Sequence, residues 1–280
     1  MNTKTADLSV TSEAGNPASQ PEAAPERLKR EKLRSHILEG ERTLIVYLPP
    51  GYEQQLDLRY PVLYLQDGQN LFDGSTSYVP GMTWHVAETV DALIESQRIV
   101  PLIIVGIYHA GEQRIAEFTP VPDRKRGGGD AQRYARMLVE EIKPFIDAEY
   151  RTLRDPAHTG VGGSSLGGLV SLFLGMSHPE IFAKVATMSP SVWWNDRWIL
   201  RFVGSVNPKP GLKIWLDIGT SEGETAVADV KSLFTLLIEK GWKQENDLHF
   251  YLAEGAAHSE SAWAERVGPM LEFLFPLGSI

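Results

Sequence analysis

The sequence predicts an α/β fold, with a doubly wound and mostly parallel sheet, helices on both faces and antiparallel strands at the N-terminus. Short, nearly continuous apolar runs alternate with longer stretches in which apolar residues recur every three or four positions. Continuous runs are typical of strands buried on both faces, and their alternation with amphipathic helices is typical of parallel sheets. Because ligands bind at the carboxyl ends of such strands, the loops after them are the candidate site.

The predicted elements follow in chain order. Two antiparallel strands, Leu33–Leu38 and Thr43–Leu48, flank the polar turn 39–41. The apolar runs of the parallel sheet are Val62–Leu65, Leu102–Tyr108, His158–Gly162, Lys184–Met188, Lys213–Ile218 and Leu248–Leu252. The helix candidates between them are Trp84–Gln97, Ala131–Ala148, Leu166–Ser177, Thr225–Lys240 and Ser261–Leu274.

The 280-residue chain is long enough for one large core, so we expect a single domain over residues 28–280. Residues 1–27 are expected to form a disordered tail, because they are rich in Ala, Ser, Pro and Glu. The tail lacks the apolar run of a signal peptide, and no later run reaches the length of a membrane-spanning helix. A cytoplasmic location is therefore the expectation.

Charge and cysteine usage exclude several classes of function. The formal net charge of -9 argues against nucleic acid and anionic membranes as partners. The chain has no cysteine, which excludes disulfides, a thiolate zinc site and a cysteine nucleophile. No residue pattern requires a metal or an organic cofactor, so none is expected. The oligomeric state stays open.

The strongest motif is Gly163-Ser164-Ser165-Leu166-Gly167, which fits the pattern Gly-x-Ser-x-Gly with Ser165 at its centre. An apolar run precedes the motif and a helix candidate follows it. Such a sharp strand-to-helix turn holds a serine in a strained conformation, and small neighbours let the two elements approach. Ser165 is therefore the candidate nucleophile, and the amide of Leu166 is a candidate oxyanion donor at the start of the helix.

A serine nucleophile needs a histidine as general base, and in this arrangement the chain order is serine, acid, histidine. Among the histidines after Ser165, only His258 lies in the loop after the last predicted strand, so it is the candidate base. The acid is expected after the preceding strand, where Glu222 ranks first, Asp217 second and Glu224 third. Capping of the next helix is an alternative role for the two glutamates.

A second oxyanion donor is expected in the loop after the strand Val62–Leu65. This loop reads Gln66-Asp67-Gly68-Gln69-Asn70. Gly68 would let the amide of Gln69 turn inward, whereas Asp67 is expected to stabilise the turn. The resulting hypothesis is acyl transfer from a small-molecule ester, with Ser165 as the nucleophile and the amides of Gln69 and Leu166 binding the oxyanion.

From about Ser35 to Phe275 the sequence resembles the esterase family of α/β-hydrolases that includes enterochelin esterases, feruloyl and acetylxylan esterases, S-formylglutathione hydrolases and the antigen 85 mycolyltransferases. Apart from the serine motif at residues 163–167, no single motif is specific for the family, but together the motifs are specific. The carriers are Tyr47 to Tyr52, Leu63 to Asn70, Arg114 with Glu117 to Thr119, Gly163 to Gly168, Met188 to Ser191, and Gly255 to His258 with Trp263.

The resemblance implies an α/β-hydrolase fold and a serine esterase that acts on siderophore, carbohydrate-linked or aryl esters. It also implies that Trp84, Trp193, Trp194 and Arg114 bind substrate. His109 departs from the asparagine expected in many relatives. Two alternatives stay open at this point: an acyltransferase that uses an alcohol acceptor, and a ligand-binding relative without catalytic activity.

Overall fold

The computed structural model describes residues 27–278, so the predicted tail lies outside the described residues except for Arg27. One eight-stranded sheet runs in the order β1-β2-β4-β3-β5-β6-β7-β8. Strands β1 and β2 are antiparallel, β2 is antiparallel to β4, and all other neighbours are parallel. The strands are β1 Leu28–Ser35, β2 Gly40–Tyr47, β3 Val62–Gln66, β4 Ile103–Ile107, β5 Thr159–Ser164, β6 Lys184–Met188, β7 Lys213–Gly219 and β8 Leu248–Ala253.

The first strand differs from its prediction. Strand β1 ends at Ser35, and residues 36–39 form the turn that the sequence placed at 39–41. The carboxylate of Glu141 accepts hydrogen bonds from the Ser35 hydroxyl and from the His36 and Ile37 amides. These bonds to a neighbouring helix end the strand early, and Glu39 closes the turn with a left-handed φ of 51°.

The described residues contain eight α-helices, of which seven lie between strands and the last follows β8. They are α1 Val86–Glu95, α2 Arg114–Glu117, α3 Ala131–Met137, α4 Lys143–Glu149, α5 Leu166–Ser177, α6 Trp194–Ser205, α7 Glu224–Glu239 and α8 Glu260–Leu274. A π-helical turn, Leu138–Ile142, joins α3 to α4. Helices α2 and α6 were not predicted, because α2 has a single turn and α6 opens with a left-handed turn at residues 195–197. None of the helices within residues 27–278 combines the length and apolarity needed to cross a bilayer.

The central strands β3, β4 and β5 are buried on both faces of the sheet. In β3, Val62 and Tyr64 belong to one apolar cluster, whereas the alternating residues Leu63 and Leu65 belong to the other. The first cluster includes residues of α3 to α7, and the second includes residues of α1 and α8. The predicted mostly parallel sheet with helices on both faces is confirmed, and these layers leave the carboxyl edge of the strands to the loops.

Two lysines pair in register at the amino ends of β6 and β7, where Lys184 lies beside Lys213. Burial, followed by the charge of Lys213, lowers the pKa of Lys184 from 10.5 to about 8. A lysine with a lowered pKa destabilises the folded state while it is charged, so stability increases as the pH rises from about 8 to 10.5.

We therefore expect Lys184→Met to raise the free energy of unfolding at pH 7 by on the order of 1 kcal/mol, because it removes a partly desolvated charge. Thermal unfolding of both proteins between pH 7 and pH 10.5 measures the difference. The gain should nearly disappear at the upper end, where the wild-type lysine is neutral in the folded state and half neutral in the unfolded state. An equal gain at both ends of the range would assign the effect to packing.

Candidate active site

The nucleophile motif forms a sharp turn between β5 and α5. Ser165, between Ser164 at the end of β5 and Leu166 at the start of α5, has a φ of 57° and a ψ of -121°. A β-carbon on Gly163 would lie 2.9 Å from the β-carbon of Gln66, and one on Gly168 would lie 2.9 Å from the Met188 oxygen. The surrounding backbone therefore requires glycine and holds the strained serine in place.

His258 lies in the loop between β8 and α8, within hydrogen-bond distance of the serine. Its Nε2 is 3.0 Å from the Ser165 Oγ, and its Nδ1 is 2.6 Å from the Glu222 Oε2. The imidazole also meets the Trp263 ring edge to face, with centroids 4.8 Å apart. The structure thus brings Ser165, His258 and Glu222 together in one hydrogen-bonded chain.

Glu222 is held at the end of β7 by a dense set of donors. Its Oε1 accepts hydrogen bonds from the Gly219 amide at 2.8 Å and from the Ser189 hydroxyl at 2.6 Å. Burial opposes ionisation, but the hydrogen bonds from His258, Ser189 and Gly219 outweigh it and lower the pKa of Glu222. The side chain is therefore a carboxylate at neutral pH, fixed against one nitrogen of His258.

The other two candidate acids lie elsewhere. Asp217 is fully buried, and it accepts hydrogen bonds from the Ser189 amide at 3.0 Å and the Trp215 indole at 2.6 Å. Its Oδ1 also forms an ion pair with an Nη atom of Arg266, at 3.0 Å. Burial raises the pKa of Asp217 to about 6 against the effect of this arginine. Glu224 begins α7, in the position that capping predicts.

The side chains that hold Glu222 in place were not predicted from the sequence. The Ser189 hydroxyl, which donates to Glu222, accepts hydrogen bonds from the Trp263 indole and the Arg266 guanidinium, each at 3.1 Å. Ser189 and Trp263 carried part of the family resemblance, which was a signal for the site. Arg266 gave no signal, because an arginine on an amphipathic helix is ordinarily exposed.

The two candidate oxyanion donors lie at the starts of helical segments. Leu166 is the first residue of α5, so its amide has no acceptor within the helix. Gln69 lies in the 3-10 turn Gly68–Asn70, whose first internal bond runs from the Asn70 amide to the Asp67 oxygen. A β-carbon on Gly68 would lie 2.4 Å from the backbone of Gly106, so β4 presses directly against this turn.

A cavity of about 630 Å³ opens beside Ser165. Its wall includes Gln69, Arg114, Tyr78 and Glu260. Arg114 donates two hydrogen bonds of 2.7 Å to the carboxylate of Asp67. Arg114 therefore lies where sequence analysis expected a substrate-binding residue, but its guanidinium is paired within the protein.

The structure corrects the expectation for the three tryptophans. Trp84 is fully buried behind the cavity wall, where its indole donates to Glu260. Trp194 is buried in the core and donates to the Val121 oxygen at 2.8 Å. Trp193 is half-exposed beneath Arg126 and does not line the cavity. For Trp84 and Trp194 the reason is burial in the apolar core, which a sequence pattern does not distinguish from a pocket.

Comparisons with known proteins agree with this architecture. Residues 35–274 match the esterase family described as "Putative esterase". The YbbA protein of Bacillus subtilis is 28% identical over 249 residues, which cover 84% of this chain and 93% of that protein. The iron(III) salmochelin esterase of Escherichia coli is 28% identical over 224 residues, which cover 73% of this chain and 49% of that enzyme.

Solved structures share the fold. The BES protein of Bacillus cereus superposes with a TM-score of 0.73 at 24% identity, covering 93% of this chain and 99% of that one. The enterobactin esterase FES of Shigella flexneri superposes with a TM-score of 0.71 at 18% identity, covering 91% and 61% of the two chains. The family match over most of the sequence identifies the chain as a member of the esterase family, a carboxylic ester hydrolase of α/β-hydrolase fold.

Proposed function

We propose that the protein is a serine esterase that cleaves carboxylic esters through an acyl-enzyme on Ser165. One observation carries the proposal: the hydrogen-bonded chain from Ser165 through His258 to Glu222 at the carboxyl edge of the sheet. A serine hydroxyl is a weak nucleophile, and an adjacent imidazole held by a carboxylate is the arrangement that activates it.

In the proposed reaction His258 acts through both nitrogens. Nε2 removes the proton of the Ser165 hydroxyl as its oxygen attacks the ester carbonyl, while the Nδ1 proton stays in the hydrogen bond to Glu222. His258 then returns the proton to the departing alcohol. Water, deprotonated by the same imidazole, attacks the acyl-enzyme. The bond between the acyl carbon and the Ser165 oxygen then breaks, the proton passes from His258 to that oxygen, and the carboxylic acid is released.

The tetrahedral intermediates carry a negative oxygen that needs hydrogen-bond donors. The amides of Gln69 and Leu166 take this role in the proposal, since each lies in the first turn of a helical segment and has no acceptor inside it. The partial positive charge at the start of α5 adds to the attraction. The left-handed Asp67 and the glycine at position 68 set the direction of the first amide.

The names of relatives guide the choice of substrate. Salmochelin, ferri-bacillibactin and feruloyl esterases are among the similar proteins. Siderophore, aryl and carbohydrate-linked esters are therefore the classes that we propose to assay first.

Covalent labelling tests the proposed nucleophile. A fluorophosphonate should add once to the protein, and digestion should place the adduct on the peptide that contains Ser165. The matched controls are Ser164→Ala and Ser191→Ala, which should still label, because Ser191 Oγ contacts Ser165 Oγ at 3.4 Å without bonding to His258. An adduct on another serine would contradict the proposal.

In the proposed oxyanion hole, Arg114 positions the turn that carries the Gln69 amide. Its bidentate bond holds Asp67, which begins the turn that carries Gln69. We expect Arg114→Gln to lower kcat for a small neutral ester about 10- to 100-fold and to leave KM within about twofold, because loss of an aligned oxyanion donor affects the transition state.

Steady-state kinetics on p-nitrophenyl acetate measures this split. The control is Arg126→Gln, an arginine that stacks on Trp193 outside the cavity and should leave both constants unchanged. A raised KM with an unchanged kcat would instead assign Arg114 to substrate binding.

A further inference from the structure

The wall of the cavity beside Ser165 carries more carboxylates than cationic side chains, and this excess bears on the substrate if the proposed function is correct. Arg114 is the cationic residue of its wall, and three carboxylates, Asp67, Glu112 and Glu260, line the same space. Both hydrogen bonds of the Arg114 guanidinium to Asp67 are 2.7 Å long. This ion pair neutralises the arginine, so its charge is not available to an anionic ligand.

His109, the other wall residue that is able to carry positive charge, is held neutral. Its Nδ1 accepts a hydrogen bond from the Gly111 amide at 2.9 Å. Burial lowers the pKa of His109 from its ordinary value. The imidazole therefore contributes a hydrogen-bonding Nε2–H group without a charge at neutral pH.

Glu260 supplies a buried carboxylate to the wall. Its side chain accepts hydrogen bonds from the Asn70 amide group at 3.1 Å and from the Trp84 indole. Both partners donate N–H groups to its oxygens, which favours the ionised form, whereas burial raises the pKa of Glu260 from its ordinary value. Neither partner is a cation, so the negative charge remains uncompensated by these contacts.

Aromatic and apolar side chains complete the wall. Tyr78 is 80% exposed, and Ile115 is 40% exposed. Trp263 contributes its indole ring beside His258. Aromatic faces attract cations, and carboxylates bind ammonium groups, so the two kinds of surface favour the same ligand chemistry.

We propose that this cavity binds an organic ammonium group carried by the substrate ester, with Glu260 as the specificity-determining residue. Esters with a neutral group of the same shape bind more weakly, and esters with a negative charge at this position are rejected. Glu112 is exposed at the cavity, where it adds to the negative potential that attracts the cation.

Ligand binding tests the inference separately from turnover. The probes are three phenols that carry a trimethylammonio, a tert-butyl or a sulfonate group at position 3, titrated by calorimetry into the Ser165→Ala protein. The expected order is cation, then neutral, then anion, with the cation bound at least about tenfold more tightly than the neutral phenol. Glu260→Gln in the same background should weaken the cation about tenfold and change the neutral ligand by less than twofold.

The matched control is Glu239→Gln, an exposed carboxylate at the far end of α7, which should change no affinity. Equal binding of the cation and the neutral phenol would overturn the inference, as would an equal loss of all three ligands in Glu260→Gln. If that variant fails to fold, the order of the three ligands on Ser165→Ala still decides. Hydrolysis of p-nitrophenyl acetate, which carries none of these groups, by the protein with Ser165 intact reports on the proposed function alone.

Discussion

Replacing Ser165 by alanine is expected to lower kcat/KM for p-nitrophenyl acetate by at least about 10⁴-fold, because no acyl-enzyme can form. The remaining rate should come from binding and from the oxyanion donors, which the substitution leaves in place. Alanine removes only the hydroxyl and keeps the β-carbon, so the strain of this backbone position is unchanged and the cavity is not filled. The expected fold is therefore unchanged, and circular dichroism with thermal unfolding checks that point.

The control variant for this experiment is Ser191→Ala. Ser191 lies 3.4 Å from the Ser165 Oγ and is buried, so its loss disturbs the same pocket. Its hydroxyl makes no contact with His258 in the chain of hydrogen bonds described above, and we expect less than a tenfold decrease in rate. A decrease of similar size in both variants would mean that pocket shape, rather than a covalent step on Ser165, limits hydrolysis.

The nucleophile motif and the histidine loop were predictable because fold topology restricts them. A parallel sheet collects its strand ends at one edge, so the residues after β5 and β8 meet there whatever the intervening sequence. The strained Ser165 also requires glycine neighbours, which leave a pattern in the sequence. The structure places Ser165 and His258 within 3.0 Å of each other, although they are separated by 93 positions.

The choice among the acids depended on contacts that no local pattern encodes. A β-carbon on Gly219 would lie 2.2 Å from the Ala256 oxygen and 3.0 Å from the Glu222 carboxylate, so this glycine lets the acid and histidine loops meet. Arg266 then supplies Asp217 with a buried partner from a helix far along the chain. The predicted substrate-binding role of Trp84 and Trp194 was wrong for a related reason. Burial depends on which residues surround a side chain, and aromatic residues are common in cores as well as in pockets.

The second large effect is expected for Glu222→Gln, with a loss of about 10³- to 10⁴-fold in kcat. The glutamine oxygen still accepts from Gly219 and Ser189, which leaves its NH₂ group facing the Nδ1 of His258. An NH₂ group donates, so Nδ1 must accept, and the imidazole proton moves to Nε2. That nitrogen then faces Ser165 already protonated and is unable to remove the hydroxyl proton.

Asp217→Asn provides the contrast, because it removes the charge partner of buried Arg266 rather than the partner of His258. We expect a decrease of about 3 kcal/mol in the free energy of unfolding, since buried Arg266 loses its nearer carboxylate and keeps only Glu222, at 3.8 Å. The rate per folded molecule should fall less than tenfold, as Glu222 keeps its hydrogen bonds. Chemical denaturation and kcat, measured on both variants, separate the two effects. Loss of catalysis in Asp217→Asn with activity preserved in Glu222→Gln would reverse the assignment of the acid.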